Sequence, residues 1–511
     1  MPGRIPELVD LQQERIRTLH FTWIAFFITF YVWFNMAPLA STMLRDLGGP
    51  DGWLTRDHIN LFAICNVALT IPARIVIGAL IDRYGPRRCF SGLLIVMSIP
   101  TFAFALGNSF MQLLVARLVL STIGAGFVIG IRMVAQWFPP KMVGRAEGFY
   151  AGWGNFGSAW AAMTLPWIAL ELFGNVEDGW RYALAINGVV SLGYGIVYLF
   201  IVRDMPEGRA FVGVSKTEPL LVSSRGDLVQ YLVWSFPLIG AMALLAWRAS
   251  GISLGGNSGE PALSQGMLHV IYAALALVFV AHVVKTLRVN LPYLRKGVPE
   301  SERYPFSSVA ALNTTYFANF GAELAVISVL PIFFEGTFRI SPTLAGLLAS
   351  SFALVNLVAR PLGGLISDVL SSRKKVMLGY MAGIALGFLG MAAIDSSWPL
   401  YLAVAMTVVT SIFVQGAEGA TFAIIPMISK RRTGQIAGMA GAYGNVGAVV
   451  YLVLFSLVDA RTFFLILAAG AAFAVLYCLV FLEEPEGSFD EEGPAVAVAA
   501  SQSEATQRRE K

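Results

Sequence analysis

The sequence predicts an all-α polytopic membrane protein in which two six-helix halves flank an insertion with two further transmembrane helices, fourteen spans in all. Its composition is 56% hydrophobic and 13% charged, with a mean hydropathy of +0.67, which is typical of a chain that crosses a bilayer many times. Apolar runs of around 20 residues, the length that spans a hydrocarbon core of about 30 Å, recur from Phe21 to Leu482. Motifs of the first half also return in the second half at a nearly constant spacing.

The two ends of the chain are polar, and twelve of the predicted spans fall into two blocks of six. Residues 1–19 are mixed in charge, and the first apolar run lacks a small-residue cleavage signature, which predicts a retained helix. Residues 483–511 are acidic and then rich in Ala, Ser, Glu and Gln, which predicts a disordered tail. The first half, 20–202, has predicted spans at 20–41, 58–81, 89–108, 112–138, 144–173 and 180–202. The second half, 306–482, has predicted spans at 306–337, 342–369, 374–396, 398–429, 433–458 and 460–482.

The central insertion, 203–305, is too apolar for a plain linker. The segments QYLVWSFPLIGAMALLAWRASG (230–251) and MLHVIYAALALVFVAHVVKTL (267–287) are each long enough to span a bilayer. They predict two additional transmembrane helices. The alternative is that both lie on the surface or re-enter the membrane, which would leave twelve true spans.

The distribution of Lys and Arg predicts the orientation. With the amino terminus in the cytoplasm, the inner loops DRYGPRR, PPKMVGR, SSRKK and SKRRTG are all basic, whereas outer turns such as LGNS and AIDSSWP carry no Lys or Arg. Because cytoplasmic loops carry an excess of Lys and Arg, we expect both termini to be cytoplasmic.

Two arginines lie deep in apolar segments at matching places in the two halves. Arg74 and Arg360 are 286 residues apart, and each is followed at the same spacing by a glycine, an aspartate and a basic pair. A guanidinium at the centre of a bilayer costs roughly 2.5 to 3.5 kcal/mol on insertion scales, so it normally faces the interior of a bundle or a water-filled path. Two related arginines therefore predict one anion held between the two halves.

A second repeat is built from glycine and asparagine. GRAEGFYAGWGNFGS, from Gly144, aligns with GQIAGMAGAYGNVGA, from Gly434, at an offset of 290 residues. Glycines at helical spacing let neighbouring helices approach closely, or they leave room for a substrate. A buried amide needs a partner, which makes the asparagines candidate ligands. The residues of this repeat that we assign to the candidate site are Gly154, Asn155, Gly157, Gly444, Asn445 and Gly447.

These segments resemble the major facilitator superfamily and, more narrowly, its nitrate/nitrite porter family. GALIDRYGPRR (78–88) resembles the superfamily's loop motif between helices 2 and 3, and RLVLSTIGAG (117–126) resembles its helix 4 motif. AGWGNFGS and AGAYGNVGA resemble the paired nitrate signatures of the narrower family. The resemblance covers nearly all of 18–202 and 306–482.

The resemblance implies a major facilitator fold and a secondary transporter of nitrate or nitrite in the cytoplasmic membrane. Arg74 and Arg360 match the two substrate-binding arginines of the family. A planar monoanion suits guanidinium groups, which offer paired donors in one plane, and the aromatic rings of Phe127 and Tyr316 are candidates to stack on the flat ion. The residues at helix ends and in the adjacent loops are expected to gate conformations: Asp82, Arg87, Arg88, Asp368 and Arg373.

Two features depart from the best-known pattern of the family. The insertion replaces a shorter central loop. Glu323 and Glu418 lie within apolar segments, whereas family members thought to exchange nitrate for nitrite lack protonatable groups around the site. These carboxyl groups are either permanently paired with a nearby arginine or bind and release a proton in each cycle, which would give proton symport.

Several alternatives stay open at this point. Paired arginines also suit another small or organic anion, the transporter could exchange nitrate for nitrite, and a membrane nitrate sensor is a minor alternative. The four histidines show no ligand-like spacing, so no metal, cofactor or enzymatic activity is expected. Basic loops beside spans are explained by topology, so nucleic-acid binding is not expected. We expect the chain to function as a monomer in a lipid bilayer.

Overall fold

The structure is a computed structural model of the chain, and it describes residues 10–48, 52–174, 178–208, 219–254, 260–370, 372–429 and 432–484. Within these ranges the regular structure is helical, apart from one isolated β-bridge between Ser253 and Pro261. This confirms the all-α prediction. The predicted disordered tail lies outside the described residues beyond Glu484.

The described residues of the first half form nine α-helices, because three of its six predicted spans are formed by two consecutive helices. Short 3-10 turns join α1 to α2 (Ala37–Leu39) and α6 to α7 (Ser121–Ala125), and a π-helical turn (Ile168–Leu172) extends α8. The helices are α1 Glu14–Trp33, α2 Ala40–Leu47, α3 Arg56–Ala68, α4 Thr70–Tyr84, α5 Pro86–Leu106, α6 Phe110–Leu120, α7 Gly126–Trp137, α8 Pro140–Trp167 and α9 Gly179–Ile201.

The insertion forms two long helices, α10 Arg225–Ser250 and α11 Gln265–Lys296. Each begins at a serine whose hydroxyl accepts a hydrogen bond from a backbone N–H of the first turn, a common N-cap. Both are longer than predicted. They pack against each other, and α10 also packs on helices of the two halves.

In the part of the second half that the structure describes, there are seven α-helices. One of its predicted spans is again formed by two helices, which meet at Val355. The helices are α12 Phe306–Phe338, α13 Pro342–Leu354, α14 Asn356–Val369, α15 Arg373–Ala392, α16 Leu400–Ile428, α17 Thr433–Phe455 and α18 Ala460–Phe481.

This set of helices agrees with the fourteen membrane-crossing segments that the sequence predicts. By length and composition, thirteen helical segments in the described ranges are apolar enough to cross a membrane, and both insertion helices are among them. The remaining segment, α8, is 28 residues long and contains five glycines. Burial differs sharply among the segments: 89% of the most apolar stretch of α12 is buried, against 22% for α10 and 6% for α11. The insertion is therefore peripheral, and α12 is central.

The internal repeat is visible in the way the helices break. α3 and α4 are separated at Leu69, and α13 and α14 are separated at Val355, 286 residues later. A serine from a neighbouring helix bonds the backbone at each break. Ser121 accepts from the Leu69 N–H at 3.1 Å, and Ser411, 290 residues further along the chain, donates to the carbonyl of Phe352 at 2.5 Å. Side chains of adjacent helices thus satisfy backbone groups near each break, as is required inside a membrane.

The repeat is also visible in helix packing. A Cβ added at Gly157 would lie 2.0 Å from the carbonyl oxygen of Phe27, and one added at Gly447 would lie 2.3 Å from that of Phe317. Gly447 and Phe317 each lie 290 residues after their counterparts, Gly157 and Phe27. In each half, a glycine therefore allows two helix backbones to touch, α1 with α8 and α12 with α17.

Candidate functional site

Arg74 and Arg360 are brought together at the interface between the two halves. Both side chains are almost completely buried, with exposed fractions of 4% and 3%. Each guanidinium lies over the rings of Phe127 and Phe320. The distances of 5.3 and 5.8 Å to the Phe127 centroid limit the separation of the two guanidinium carbons to about 11 Å. Both arginines therefore face the same small volume, as the sequence predicts.

The position of each arginine follows from the helix breaks. Each lies five residues after its break, at Leu69 or Val355, and so occupies the second turn of α4 or α14. Arg74 reaches across to the second half, where its Nη1 donates a hydrogen bond to the carbonyl of Gly441 on α17. The Arg74 Nε has no hydrogen-bond partner among the described residues. A donor of this guanidinium is therefore available to a ligand.

Arg360 has a different set of partners. Its Nη2 donates to the hydroxyl of Tyr316 at 2.9 Å, and its Nη1 lies 2.6 Å from Oε2 of Glu418, whose side chain is fully buried. The ion pair balances the charge of this arginine within the protein. An anion that approaches Arg360 therefore competes with Glu418 for the same donors.

The two acidic residues lie side by side. Glu323 accepts a hydrogen bond from Nδ2 of Asn356 at 2.5 Å, and the carboxyl groups of Glu323 and Glu418 are close enough to interact electrostatically. Two neighbouring carboxyl groups can share a hydrogen bond only when one of them carries a proton, because an ionised carboxylate is an acceptor only. Two adjacent carboxylates in a buried site also repel each other strongly. The arrangement is therefore suited to hold one proton next to Arg360.

An aromatic cluster encloses the arginines. The ring of Tyr316 stacks on that of Phe320 at 5.0 Å. Phe422 packs edge-on against both Tyr316 and Phe127, with centroid distances of 5.3 Å in each case. The predicted residues Phe127 and Tyr316 thus both line the site. The cluster shields the two guanidinium groups from bulk water, which strengthens their interaction with an anion.

The two predicted asparagines are placed unequally. Asn445 donates to the carbonyl of Gly441 at 3.2 Å, and the same carbonyl accepts from Arg74, so Asn445 belongs to the Arg74 side of the site. Asn155 is fully buried, and its amide has no hydrogen-bond partner among the described residues. No contact found in the described ranges joins Asn155 to either arginine. Its role as a ligand stays a prediction.

The four predicted glycines lie at helix contacts. A Cβ added at Gly154 would overlap Phe26, and one added at Gly444 would overlap Phe320 and approach Tyr316. Gly157 and Gly447 touch backbone, as described above. Gly444 therefore sets the position of two aromatic residues of the site by its lack of a side chain.

Two of the predicted gating residues, Arg87 and Arg373, are bonded to carboxylates that lie just beyond the last helix of their own half. The N–H of Arg87 donates to Asp204 at 2.7 Å, and its side chain lies 3.8 Å from the same carboxylate. The N–H of Arg373 donates to Glu484 at 2.7 Å. Arg88 is exposed. The side chains of the other two predicted residues, Asp82 and Asp368, lie outside the described part of the chain.

Several of these partners were not predicted from the sequence, although the spacing of residues in the sequence could have indicated each of them. Each missed residue of the site lies four positions, one helical turn, from a predicted one. They are Phe320 after Tyr316, Asn356 before Arg360, Phe422 after Glu418 and Gly441 before Asn445. Asp204 and Glu484 lie just before the tripeptide Pro-Glu-Gly, which occurs at 206–208 and again at 485–487.

Comparisons with known proteins agree on one family. A family model described as Major Facilitator Superfamily matches residues 22–294 and 312–508. The chain is 43% identical to a nitrate/nitrite transporter, NrtP, of Nostoc punctiforme, over 93% of this chain and 94% of the relative. It is 42% identical to the NrtP of Picosynechococcus sp., with the same coverage. It is 27% identical to high-affinity nitrate transporter 2.3 of Oryza sativa subsp. japonica, over 88% of this chain and 73% of the relative.

Solved structures show the same fold at low identity. The xylose transporter XylE from E. coli, in a partially occluded inward open conformation, matches with a TM-score of 0.60 at 14% identity, over 93% of this chain and 99% of that chain. A D-xylose-proton symporter matches with a TM-score of 0.62, also at 14% identity, over the same shares of the two chains. These likenesses confirm the predicted fold class.

Proposed function

The chain belongs to the nitrate/nitrite porter family of the major facilitator superfamily, and we propose that it transports nitrate and nitrite across the cytoplasmic membrane by alternating access. The observation that carries the proposal is the pair of buried arginines, one from each half, directed at the same two aromatic rings. An anion bound between the two halves can contact both of them only when the halves are close together. Ligand binding can therefore be linked to rocking of one half against the other.

Nitrate suits this site in charge and in shape. It is a planar monoanion with three equivalent oxygens, and guanidinium groups present paired donors in a plane. The Nε of Arg74 is a buried donor without a hydrogen-bond partner among the described residues. The faces of Phe127 and Phe320, which both guanidinium groups cover, give the site flat apolar walls.

We propose that the acidic pair couples transport to protons. When Glu418 is ionised it neutralises Arg360, so the site has a single uncompensated arginine, Arg74. When Glu418 takes up a proton, Arg360 is released and both arginines are available to the anion. Nitrate and a proton then bind together, which supports symport. Glu323 assists because its carboxyl group, held by Asn356, can share the proton with Glu418.

The orientation follows from the basic residues. We call the end of the bundle where α9 ends and α5 begins the Arg87 end, and the opposite end, where α3 begins and α17 ends, the Asp57 end. The Arg87 end carries the basic loops, including Arg87, Arg88 and the run 373–375. We propose that this end faces the cytoplasm, together with both termini. A single chain contains both arginines, so we propose that a monomer suffices for transport.

Nitrate binding to the variants Arg74→Lys and Arg360→Lys tests the site. Lysine keeps the charge but lacks the paired, coplanar N–H donors of the guanidinium group. We therefore expect the affinity for nitrate to fall by about tenfold to a hundredfold, the effect of losing a hydrogen bond to a charged partner. Arg88→Lys, an exposed position, is the control and keeps normal affinity. Near-normal affinity in both site variants would refute bidentate recognition of nitrate.

A competition panel tests the choice of anion. Nitrite should displace labelled nitrate from the purified protein, whereas chloride and small carboxylates at the same concentration should not. Displacement by a carboxylate that is stronger than displacement by nitrite would identify the site as one for organic anions.

A further inference from the structure

The first helix of the insertion is attached mainly to the second half. The hydroxyl of Tyr443 on α17 donates to the carbonyl of Trp234 on α10, and the Trp234 ring packs edge-on against Tyr477 on α18 at 5.7 Å. In the first turn of α10, the carboxylate of Asp227 accepts a hydrogen bond from the N–H of Phe306, the first residue of α12. These contacts with three helices of the second half indicate that α10 moves with that half.

At the Asp57 end, α10 also reaches the first half. Arg248, in the last turn of α10, is buried except for 9% of its surface. Its Nη2 donates to Asp57 at 3.1 Å, in the first turn of α3, and its Nε donates to the hydroxyl of Ser456 at 2.7 Å, directly after α17. One guanidinium thus binds both halves at once. The planar fork of an arginine suits this, because its donors point in two directions.

A second contact lies next to the first. The carbonyl of Ser253, three residues beyond α10, is 2.8 Å from Nε2 of His58, the neighbour of Asp57. The Nδ1 of the same ring accepts from the N–H of Thr55 at 3.2 Å, so Nε2 is the donor to Ser253. The insertion therefore contacts two consecutive residues at the start of α3.

These contacts lie at the rim of a cavity between the two halves. The cavity has a volume of about 620 Å³, and its lining includes Asp57 and Ala63 of the first half and Ser328, Phe333 and Ser456 of the second. In the proposed orientation it lies toward the outer side of the membrane. Alternating access requires the two halves to separate at this end when the outward-facing state forms.

We infer that Arg248 is a latch that holds the outer end of the transporter closed, and that supplying this latch is a function of the insertion. Because α10 is attached to the second half, separation of the halves leaves Arg248 with Ser456 and breaks its bond to Asp57. The latch positions the two halves and does not touch nitrate. The inference rests on the proposed transport cycle.

Thiol accessibility tests the latch without any need for nitrate. Ser328→Cys is introduced in a protein whose three native cysteines are replaced by serine, and its labelling by a membrane-impermeant reagent is followed in proteoliposomes. We expect Arg248→Gln and Asp57→Asn each to raise the labelling rate by about threefold to tenfold, a smaller effect than for a buried charged pair because the Asp57 side chain is largely exposed. The double variant should label no faster than the single ones, since both changes remove the same contact.

The matched control is an ion pair of the insertion that does not cross between the halves. Glu302, just before α12, lies 3.2 Å from Arg432, just before α17. Glu302→Gln should leave labelling unchanged.

Unchanged labelling in both latch variants, or an equal rise in the control, would overturn the inference. If Arg248→Gln does not fold, Asp57→Asn alone tests the latch. The Asp57 side chain is 63% exposed, and loss of its carboxylate leaves the hydrogen bond between Arg248 and Ser456 intact. Labelling and nitrate binding are independent measurements, so a latch that fails is distinguishable from a nitrate site that fails.

Discussion

The two halves of the transporter contain the same arginine in unequal surroundings. Arg360 is paired with Glu418 and Tyr316, whereas Arg74 binds a backbone carbonyl and has no acidic side chain within ion-pair distance among the described residues. At the 290-residue offset, the positions that correspond to Glu323 and Glu418 hold Trp33 and Val128. The repeat therefore supplies one proposed anion-binding arginine from each half, whereas acidic side chains lie beside Arg360 but not beside Arg74 among the described residues. We therefore assign the proposed proton coupling to the Arg360 side.

The largest effect is expected from Glu418→Gln, which makes the Arg360 side resemble the Arg74 side. Without the competing carboxylate, nitrate binding should become independent of pH, while in the native protein it weakens as pH rises and Glu418 loses its proton. Accumulation of nitrate driven by a pH gradient should fall by at least about tenfold, because the proton carrier next to the arginine is lost. Counterflow of labelled nitrate, which needs no proton gradient, should persist.

The same variant should show a stability change that nitrate reverses. Removing one partner of a buried ion pair leaves an uncompensated charge and costs on the order of 3 kcal/mol. Bound nitrate supplies the missing negative charge, so added nitrate should raise the thermal midpoint more in Glu418→Gln than in the native protein. The control is Glu335→Gln, which changes a glutamate near the carboxyl-terminal end of α12. If nitrate binding has the same pH dependence in Glu418→Gln as in the native protein, the proposed difference between the Arg360 side and the Arg74 side is contradicted.

A smaller effect is expected from Glu323→Gln. This residue contacts Arg360 only through its neighbours, so nitrate affinity at low pH should change little. The shared proton loses one of its two acceptors, so gradient-driven accumulation in proteoliposomes should fall to a fraction of the native level. Undiminished accumulation would mean that Glu323 has a structural role only.

The smallest effect is expected from Tyr316→Phe. Position 26, which is 290 residues earlier, is already a phenylalanine, so this change makes the two halves alike at that point. Loss of the hydroxyl that accepts from Arg360 should weaken nitrate binding by about threefold to tenfold, the effect of one hydrogen bond. The pH dependence of binding should stay as in the native protein, since Glu418 is intact. A change in that dependence would place Tyr316 in the proton path.

The sequence predicted the parts of the site that break a local rule. Arg74, Arg360, Glu323 and Glu418 are charges in apolar segments, and such charges stand out without any structure. Phe320 and Phe422 did not stand out, because an aromatic residue in a membrane helix is ordinary until its neighbours are known.

Long-range contacts were beyond prediction for a related reason. Arg248 ends an apolar helix and looks like an ordinary interfacial residue in the sequence. Its partners, Asp57 and Ser456, are 191 and 208 residues away. Only the docking of the insertion on both halves reveals the contact. The repeat offset predicted the fold because it relates whole helices, but the insertion has no counterpart within the repeat.

The internal pH of proteoliposomes during nitrate entry tests the central claim most directly. Vesicles with the native protein, no initial pH gradient and no internal nitrite receive external nitrate, and a trapped dye reports internal pH. We predict that the interior acidifies as nitrate enters, and that the acidification is absent with Glu418→Gln. Nitrate entry that requires internal nitrite and leaves the internal pH unchanged would contradict proton coupling and identify the protein as an exchanger.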